Sequence, residues 1–200
     1  MICPDYLRVI VFRLCCLAAF VAAMWLVHGL NWMVGYNLTF MFGLTPRELS
    51  GLDGVIAMPF LHGGMEHLMA NTPPTVLMGA LLAATATRAL IVVNVIIVLL
   101  GGALVWLFGA PAIHIGASGL IFGWFGFLIA RGLVDRSPVT LGASLLVGLF
   151  YGSMIWGVFP GQPGVSWEAH LFGALAGAAA AFMVRTHVHN PRMRNVERRS

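Results

Sequence analysis

The stretch GASGLIFGWFG, residues 116–126, decides how this chain folds. It is apolar apart from one serine, Ser118, and its glycines recur at three- and four-residue spacing, at positions 116, 119, 123 and 126. Small residues at this spacing let helix backbones approach closely inside a membrane. We therefore predict a helix that is packed tightly by its neighbours and that carries Ser118 near its first turn.

A second stretch, WEAHLFGALAG at residues 167–177, also carries regularly spaced glycines. Gly173 and Gly177 are four residues apart, and His170 lies one turn before the first of them. The two glycine-rich stretches are thus natural packing partners, and their pairing would bring Ser118 towards His170. Glycine spacing by itself indicates only helix packing, which is compatible with a functional role.

Composition places the chain in a membrane. Of its 200 residues, 60% are hydrophobic and 9% are charged, whereas a soluble domain carries about 25% charged residues. No polar linker divides the chain, so we predict one domain over residues 1–200, an all-α, polytopic membrane protein. Apolar stretches of about 20 residues can span a bilayer as helices, and six are present: 9–30, 66–85, 89–108, 116–130, 139–159 and 167–184.

Two other segments complete this prediction. The first span is preceded by arginines, as in a signal peptide, but it is long and no small-x-small cleavage site follows it, so we treat it as a helix. Residues 31–64 are rich in aromatic residues and too apolar for a solvated loop. Aromatic side chains favour the membrane interface, and we predict a structured piece at the outer face.

The arginines predict the orientation. All eleven basic residues are arginine, and with a cytoplasmic N-terminus every one except Arg47 lies on the cytoplasmic side. This bias follows the positive-inside rule. Both termini are therefore predicted to be cytoplasmic. We expect the membrane to be a bacterial inner membrane, with the basic tail 185–200 near anionic lipid headgroups. The arginines form no nucleic-acid-binding face.

Polar residues in the spans indicate chemistry, because they are costly in lipid. His67, Asn71, Ser118 and His170 all lie near the starts of the second, fourth and sixth spans, which run in the same direction. A serine needs a base to become a nucleophile, and His170 is the candidate. His67 and Asn71 share a helix face and can donate hydrogen bonds to an oxyanion. Glu168 points to another face, which favours a Ser–His dyad.

Metal binding is the competing chemistry. His62, His67 and His170 are candidate zinc ligands, with Glu66 nearby. However, the HExxH motif is absent, and the spacing between His62 and His67 is not that of helical zinc ligands. The sequence therefore predicts no metal and no cofactor.

Taken together, these motifs resemble the rhomboid family of intramembrane serine proteases. The matching elements are His62-x4-His67-x3-Asn71, the GASG at 116–119, and the AHxxGxxxG at 169–177. The family has a six-transmembrane-helix core, and the motifs occur in its order on the second, fourth and sixth helices. Where the family often carries Trp-Arg in its long outer loop, this chain has Asp53-Gly54.

The resemblance implies roles for individual residues. Ser118 would be the nucleophile and His170 the general base, with His67, Asn71 and the Ser118 amide forming the oxyanion hole. An aromatic ring at Phe122 would stack on the catalytic histidine. The supporting positions are His62, Gly116, Gly119, Gly173 and Gly177.

The implied activity is hydrolysis of peptide bonds in or next to transmembrane segments. The partners would be transmembrane protein substrates and membrane lipids. The fifth span and the loop at 160–167 are candidates for a gate and cap, and a plain connector is the alternative for the loop. One alternative is a catalytically inactive rhomboid-like protein that binds membrane clients. A transporter or channel is another, but the polar residues cluster toward one face instead of lining a continuous route.

Overall fold

The residues that the structure describes are mostly helical. The computed structural model describes residues 4–85 and 89–184, so Arg88 and the basic tail at 185–200 lie outside it. Within those ranges the α-helices are α1 Pro4–Met33, α2 Asn37–Phe42, α3 Gly54–Ala57, α4 Met65–Thr85, α5 Leu90–Ile96, α6 Gly102–Phe108, α7 Ser118–Asp135, α8 Pro138–Tyr151 and α9 Trp167–Met183.

The six predicted spans correspond to α1, α4, α5–α6, α7, α8 and α9. Across residues 4–85 and 89–184, four stretches are long and apolar enough to cross a membrane: Leu7–Met33, Leu90–Phe108, Ser118–Asp135 and Pro138–Val158. The other two are α4, whose first turns carry polar residues, and α9, which is 17 residues long. These helices confirm the fold class: an all-α, polytopic membrane protein built as a six-helix bundle.

Four predicted helices differ from the observed ones. The first runs over Pro4–Met33 and is longer at both ends than the predicted 9–30. The fourth begins at Ser118 and not at Gly116, because Gly116 has a φ of 111°, which is incompatible with a helix. The third contains a π-helical turn, Ile97–Gly101, between α5 and α6. The fifth ends its α-helical part at Tyr151 and continues as a 3-10 helix over Gly152–Val158.

The closest helix pair is α7 with α9, and glycines on both helices make that approach possible. A Cβ atom at Gly173 would overlap the Gly119 carbonyl oxygen, and one at Gly177 would overlap the Gly123 carbonyl oxygen. From the other side, a Cβ at Gly126 would overlap the backbone of Ala174. The backbones are therefore in direct contact over about two turns, and this contact places the first turns of α7 and α9 side by side.

The apolar core surrounds this pair. Trp124 and Phe127 of α7 pack among buried side chains of α1, α4, α5 and α9, including Met24, Met78 and Val93. Trp124 donates its indole N–H to the side-chain oxygen of Asn94 at 2.9 Å, so this buried polar group is satisfied. α7 is thus the central helix, and its position fixes that of Ser118.

The segment between α1 and α4 is structured, as predicted, with α2, α3 and two 3-10 turns, Leu49–Gly51 and Met58–Phe60. It is attached to the segment that precedes α7. Leu44 and His114 form an antiparallel backbone bridge with bonds of 3.0 and 2.8 Å, and the Arg47 guanidinium donates to the Gly109 carbonyl at 2.8 Å. Gly54 packs against the Leu44 backbone so closely that any side chain would collide.

The backbone contact between α7 and α9 predicts a specific sensitivity to size. Gly177→Ala should lower the free energy of unfolding, measured by titration with a denaturing detergent, by about 1–3 kcal/mol because the added methyl overlaps the Gly123 carbonyl. Gly142→Ala on α8 is the matched control, since a Cβ there meets nothing within 4 Å. Equal or greater stability of Gly177→Ala relative to Gly142→Ala would contradict this account of the packing.

Candidate active site

Ser118 and His170 meet where α7 and α9 begin. The imidazole Nε2 of His170 lies 2.8 Å from the Ser118 hydroxyl oxygen, so the two side chains are hydrogen-bonded. Ser118 is the first residue of α7, and His170 lies in the first turn of α9. The glycine contact between these helices brings together two residues that are 52 positions apart in sequence.

The second nitrogen of His170 defines its tautomer. Nδ1 lies 2.9 Å from the backbone carbonyl oxygen of Gly157, in the 3-10 segment that follows α8. A carbonyl can only accept, so Nδ1 carries the proton and donates it. Nε2 is then unprotonated and accepts the Ser118 hydroxyl proton. This arrangement has the hydrogen-bond pattern of an activated serine nucleophile.

An aromatic ring holds His170 in plane. Phe122, one turn after Ser118, stacks on the imidazole with ring centroids 4.1 Å apart and an interplanar angle of 6°. Gly157 packs closely against both rings, since a Cβ atom there would lie 2.9 Å from the Phe122 ring and 3.2 Å from His170 Nδ1. Phe122 and Gly157 together fix both the plane and the direction of the imidazole.

A space beside Ser118 is bounded by hydrogen-bond donors. Gly116 lacks the side chain that would fill this space: a Cβ would lie 2.6 Å from His67 Nε2 and 3.7 Å from the Ser118 hydroxyl oxygen. The backbone N–H of Ser118 is the first amide of α7, which a helix leaves without an intrahelical acceptor. Gly116 is therefore required both by its backbone angle and by the space that it keeps open.

Asn71 lies one turn after His67 on α4. Its side-chain amide donates one proton to the His67 carbonyl oxygen at 2.8 Å, which leaves a second N–H proton on the same nitrogen. Asn71 and His67 both line the cleft above Ser118. The structure thus brings together the four residues Ser118, His170, His67 and Asn71.

His62 lies behind this group and does not line the cleft. Its ring is fully buried, its Nε2 accepts the backbone N–H of Ala117 at 3.5 Å, and its ring centroid is 5.0 Å from that of His67. Burial, with a smaller contribution from repulsion by His67, lowers the pKa of His62 to about 4. His62 is therefore neutral at physiological pH and supports the loop that leads into Ser118.

The site opens into a large cleft. Its volume is about 1210 Å³, and it lies between α4, the 110–118 segment, the end of α8 and the 163–168 segment. Most of its lining is apolar, with Ile113, Tyr151 and Met154 among the contributors. A chain segment with apolar side chains can reach Ser118 through this opening.

Glu168 and His170 make separate hydrogen bonds, although they are two residues apart. Glu168 is buried and accepts the backbone N–H of Ala110 at 3.2 Å, while His170 uses the Gly157 carbonyl instead of a carboxylate. In the part of the chain that the structure describes, no three His, Cys, Asp or Glu side chains are grouped as metal ligands would be.

Several site features could not be read from sequence motifs. The Gly157 contribution is a backbone carbonyl, which leaves no side-chain signal. His114 and Ser166 both line the cleft, and their only signal is spacing: each precedes a dyad residue by four positions. The supporting glycines do appear where the motifs place them, with Gly119 against Ala169 and Gly173 against Gly119.

Comparison with known proteins agrees with this architecture. The Rhomboid domain family matches residues 50–187. A protein of Mycobacterium tuberculosis that is named as uncharacterized is 41% identical, over 82% of this chain and 72% of its own length. A Mycobacterium leprae protein, likewise named as uncharacterized, is 36% identical over 82% of this chain and 68% of its own length. The chain is an integral membrane protein that belongs to the rhomboid family.

Proposed function

We propose that this protein is an intramembrane serine endopeptidase, which hydrolyses peptide bonds in or next to the transmembrane segments of membrane proteins. The observation that carries the proposal is the 2.8 Å hydrogen bond between Ser118 Oγ and an unprotonated His170 Nε2. A serine and a neutral histidine held this way at the base of a cleft can carry out nucleophilic attack on an acyl carbon.

In the acylation step, Ser118 Oγ attacks the carbonyl carbon of the substrate peptide bond. The hydroxyl proton moves to His170 Nε2, and the carbonyl oxygen becomes an oxyanion. The C–N bond then breaks, and His170 returns the proton to the departing amine. The Gly157 carbonyl supports both transfers, because it accepts a hydrogen bond from Nδ1–H throughout and so stabilises the imidazolium that forms between them.

The oxyanion would occupy the space above Gly116. The Ser118 amide, His67 Nε2 as a protonated tautomer and the free N–H of Asn71 are its donors. Donors fixed in place before the reaction stabilise a transition state strongly, and loss of one such donor typically lowers turnover by about 100- to 1,000-fold. His62 contributes indirectly, since it orders the Ala117 amide beside Ser118.

In the deacylation step, water attacks the acyl carbon and gives its proton to His170. Collapse of the second tetrahedral intermediate releases the carboxylic acid product and restores the Ser118 hydroxyl. Water must reach an otherwise apolar bundle for this step. The cleft above Ser118 is the candidate route, because polar residues including Glu66 line it.

The substrate must present an extended segment to Ser118, since a helical backbone hides its carbonyl groups. Residues that weaken helices, such as glycine and proline, favour this local unwinding. The cleft wall formed by the 3-10 end of α8 and the loop at 160–167 is the candidate gate. That loop contains two glycines with positive φ, Gly161 and Gly164, which suits it to a change of conformation.

The arginine distribution supports a bacterial inner membrane location with both termini cytoplasmic. The cleft and the dyad then face the opposite, outer side. Substrates would be membrane proteins whose spans enter the outer leaflet with flexible segments. The competing function is binding of membrane clients without cleavage, and it predicts that a cleavage assay yields no product.

A cleavage assay tests this function. Wild-type protein in liposomes should cut a single-span substrate whose outer-leaflet segment contains glycine or proline, and Ser118→Ala and His170→Ala should each abolish the cut because they remove the nucleophile and the base. Products are identified by mass spectrometry. Ser137→Ala, which alters an N-cap of α8 away from the dyad, serves as the control. Cleavage by folded Ser118→Ala at the wild-type rate would refute the mechanism, and substrate retention without cleavage by wild type would favour client binding.

Gly157 offers a test of the base itself. Gly157→Ala adds a methyl group 2.9 Å from the Phe122 ring and 3.2 Å from His170 Nδ1, so the Phe122 ring must shift, and the imidazole stacked on it is displaced. We expect the rate constant for labelling of Ser118 by a fluorophosphonate to fall at least about 10-fold, because misplacement by an ångström is costly to catalysis. Gly152→Ala, in the same 3-10 segment with open space around it, should keep the wild-type rate. Equal rates for the two variants would show that the Gly157 contact does not orient His170.

A further inference from the structure

A second serine–histidine hydrogen bond lies next to the dyad. In this pair the histidine precedes α7 and the serine precedes α9, the reverse of the order in Ser118 and His170. His114 precedes Ser118 by four residues, and Ser166 precedes His170 by four residues. The Nδ1 atom of His114 lies 2.5 Å from the hydroxyl oxygen of Ser166. Two segments of the chain are therefore joined twice, once through Ser118 and His170 and once through His114 and Ser166.

The protonation pattern of this second pair is fixed by its surroundings. His114 Nε2 lies 3.1 Å from the Ala110 carbonyl oxygen, which can only accept, so Nε2 carries the proton. Nδ1 is then an acceptor, and the Ser166 hydroxyl donates to it. The Ser166 oxygen in turn accepts the backbone N–H of Ala169 at 3.4 Å, as the N-cap of α9.

The same segment is held at two further points. Glu168, in the first turn of α9, accepts the backbone N–H of Ala110 at 3.2 Å. The carbonyl oxygen of Ala110 accepts from His114, and His114 is bonded in turn to Ser166 at the start of α9. On the other side, His114 exchanges two backbone hydrogen bonds with Leu44. His114 is 3% exposed and sits at the junction of the outer segment, the approach to α7 and the start of α9.

From this network we infer that His114 and Ser166 are positioning residues that set the distance and direction between Ser118 and His170. The inference rests on the proposed function. The glycine contacts between α7 and α9 hold the two helices at a short separation, but they include no directional bond between the two first turns. The His114–Ser166 bond adds a directional bond just before these turns, four residues upstream of each dyad residue, and Ser166 is the N-cap of the turn that carries His170.

The alternative role, a second nucleophilic pair, does not fit the hydrogen bonds. The Ser166 oxygen already accepts the Ala169 amide as the N-cap of α9, so its hydroxyl is used to hold the start of that helix in place. A fluorophosphonate should consequently label Ser118 and leave Ser166 unmodified. A label on Ser166 would overturn the assignment.

The test is a double-mutant cycle measured on the full-length protein in detergent. The variants are His114→Phe, which keeps ring volume without nitrogen atoms, Ser166→Ala, and the double variant. The rate constant of Ser118 labelling reports alignment of the dyad, whereas the labelled fraction at completion reports how much protein is folded. A role confined to folding would change the labelled fraction and leave the rate constant unchanged.

We expect each single variant to lower the labelling rate constant about 10-fold. The double variant should show about the same rate constant as the singles, because both substitutions remove one shared bond. Ser166→Thr, which retains the hydroxyl and the N-cap, should restore the rate constant to within about twofold of wild type. Ser137→Ala removes an N-cap of the same chemistry from α8 and should leave the rate constant unchanged.

Two results of the mutant cycle would overturn the inference while leaving the proposed function standing. One is a wild-type rate constant in both single variants, and the other is a double variant whose loss equals the product of the single losses. Failure of wild-type protein to label at Ser118 would instead contradict the proposed function, and the positioning role with it. The mutant cycle therefore tests the positioning role, and labelling of the wild-type protein tests the proposed function.

Discussion

The direct backbone contact between α7 and α9 is the constraint on which the rest of this structure depends. Any side chain at Gly173 or Gly177 would overlap a carbonyl oxygen of α7. Lipid offers no hydrophobic force to drive helices together, so close packing between small residues is a main source of helix association. Here that packing also places the starts of two helices side by side, and the chemistry of the site is built on those two starts.

The polar groups of the site satisfy each other in an apolar surrounding. His170 donates to the Gly157 carbonyl and accepts from Ser118, and Asn71 donates to the His67 carbonyl. Each bond offsets part of the free energy lost when a polar group leaves water. A backbone carbonyl takes the place that a carboxylate holds in a Ser–His–Asp triad, which avoids placing a negative charge directly against the imidazole. Because Gly157 follows α8, the orientation of the base is tied to the wall of the cleft.

Sequence reasoning reached the fold and the four polar residues because both leave side-chain signals. Glycine spacing identified the α7–α9 pair, and the scarcity of polar residues in the spans made Ser118 and His170 conspicuous. It placed the start of α7 two residues early, because the positive φ of Gly116 is a property of the folded backbone. It also missed Gly157, whose contribution is a carbonyl, and the His114–Ser166 bond, which depends on how two loops meet. The π-helical turn at Ile97–Gly101 likewise has no local pattern that distinguishes it from an α-helix.

The central claim is that the fold converts Ser118 into a nucleophile through His170. The most direct measurement is reaction of the purified, folded protein with a fluorophosphonate, followed by peptide mapping of the adduct. The account predicts one adduct, on Ser118, which disappears in both Ser118→Ala and His170→Ala. An unlabelled wild-type protein, or a Ser118 adduct that forms equally fast without His170, would contradict it.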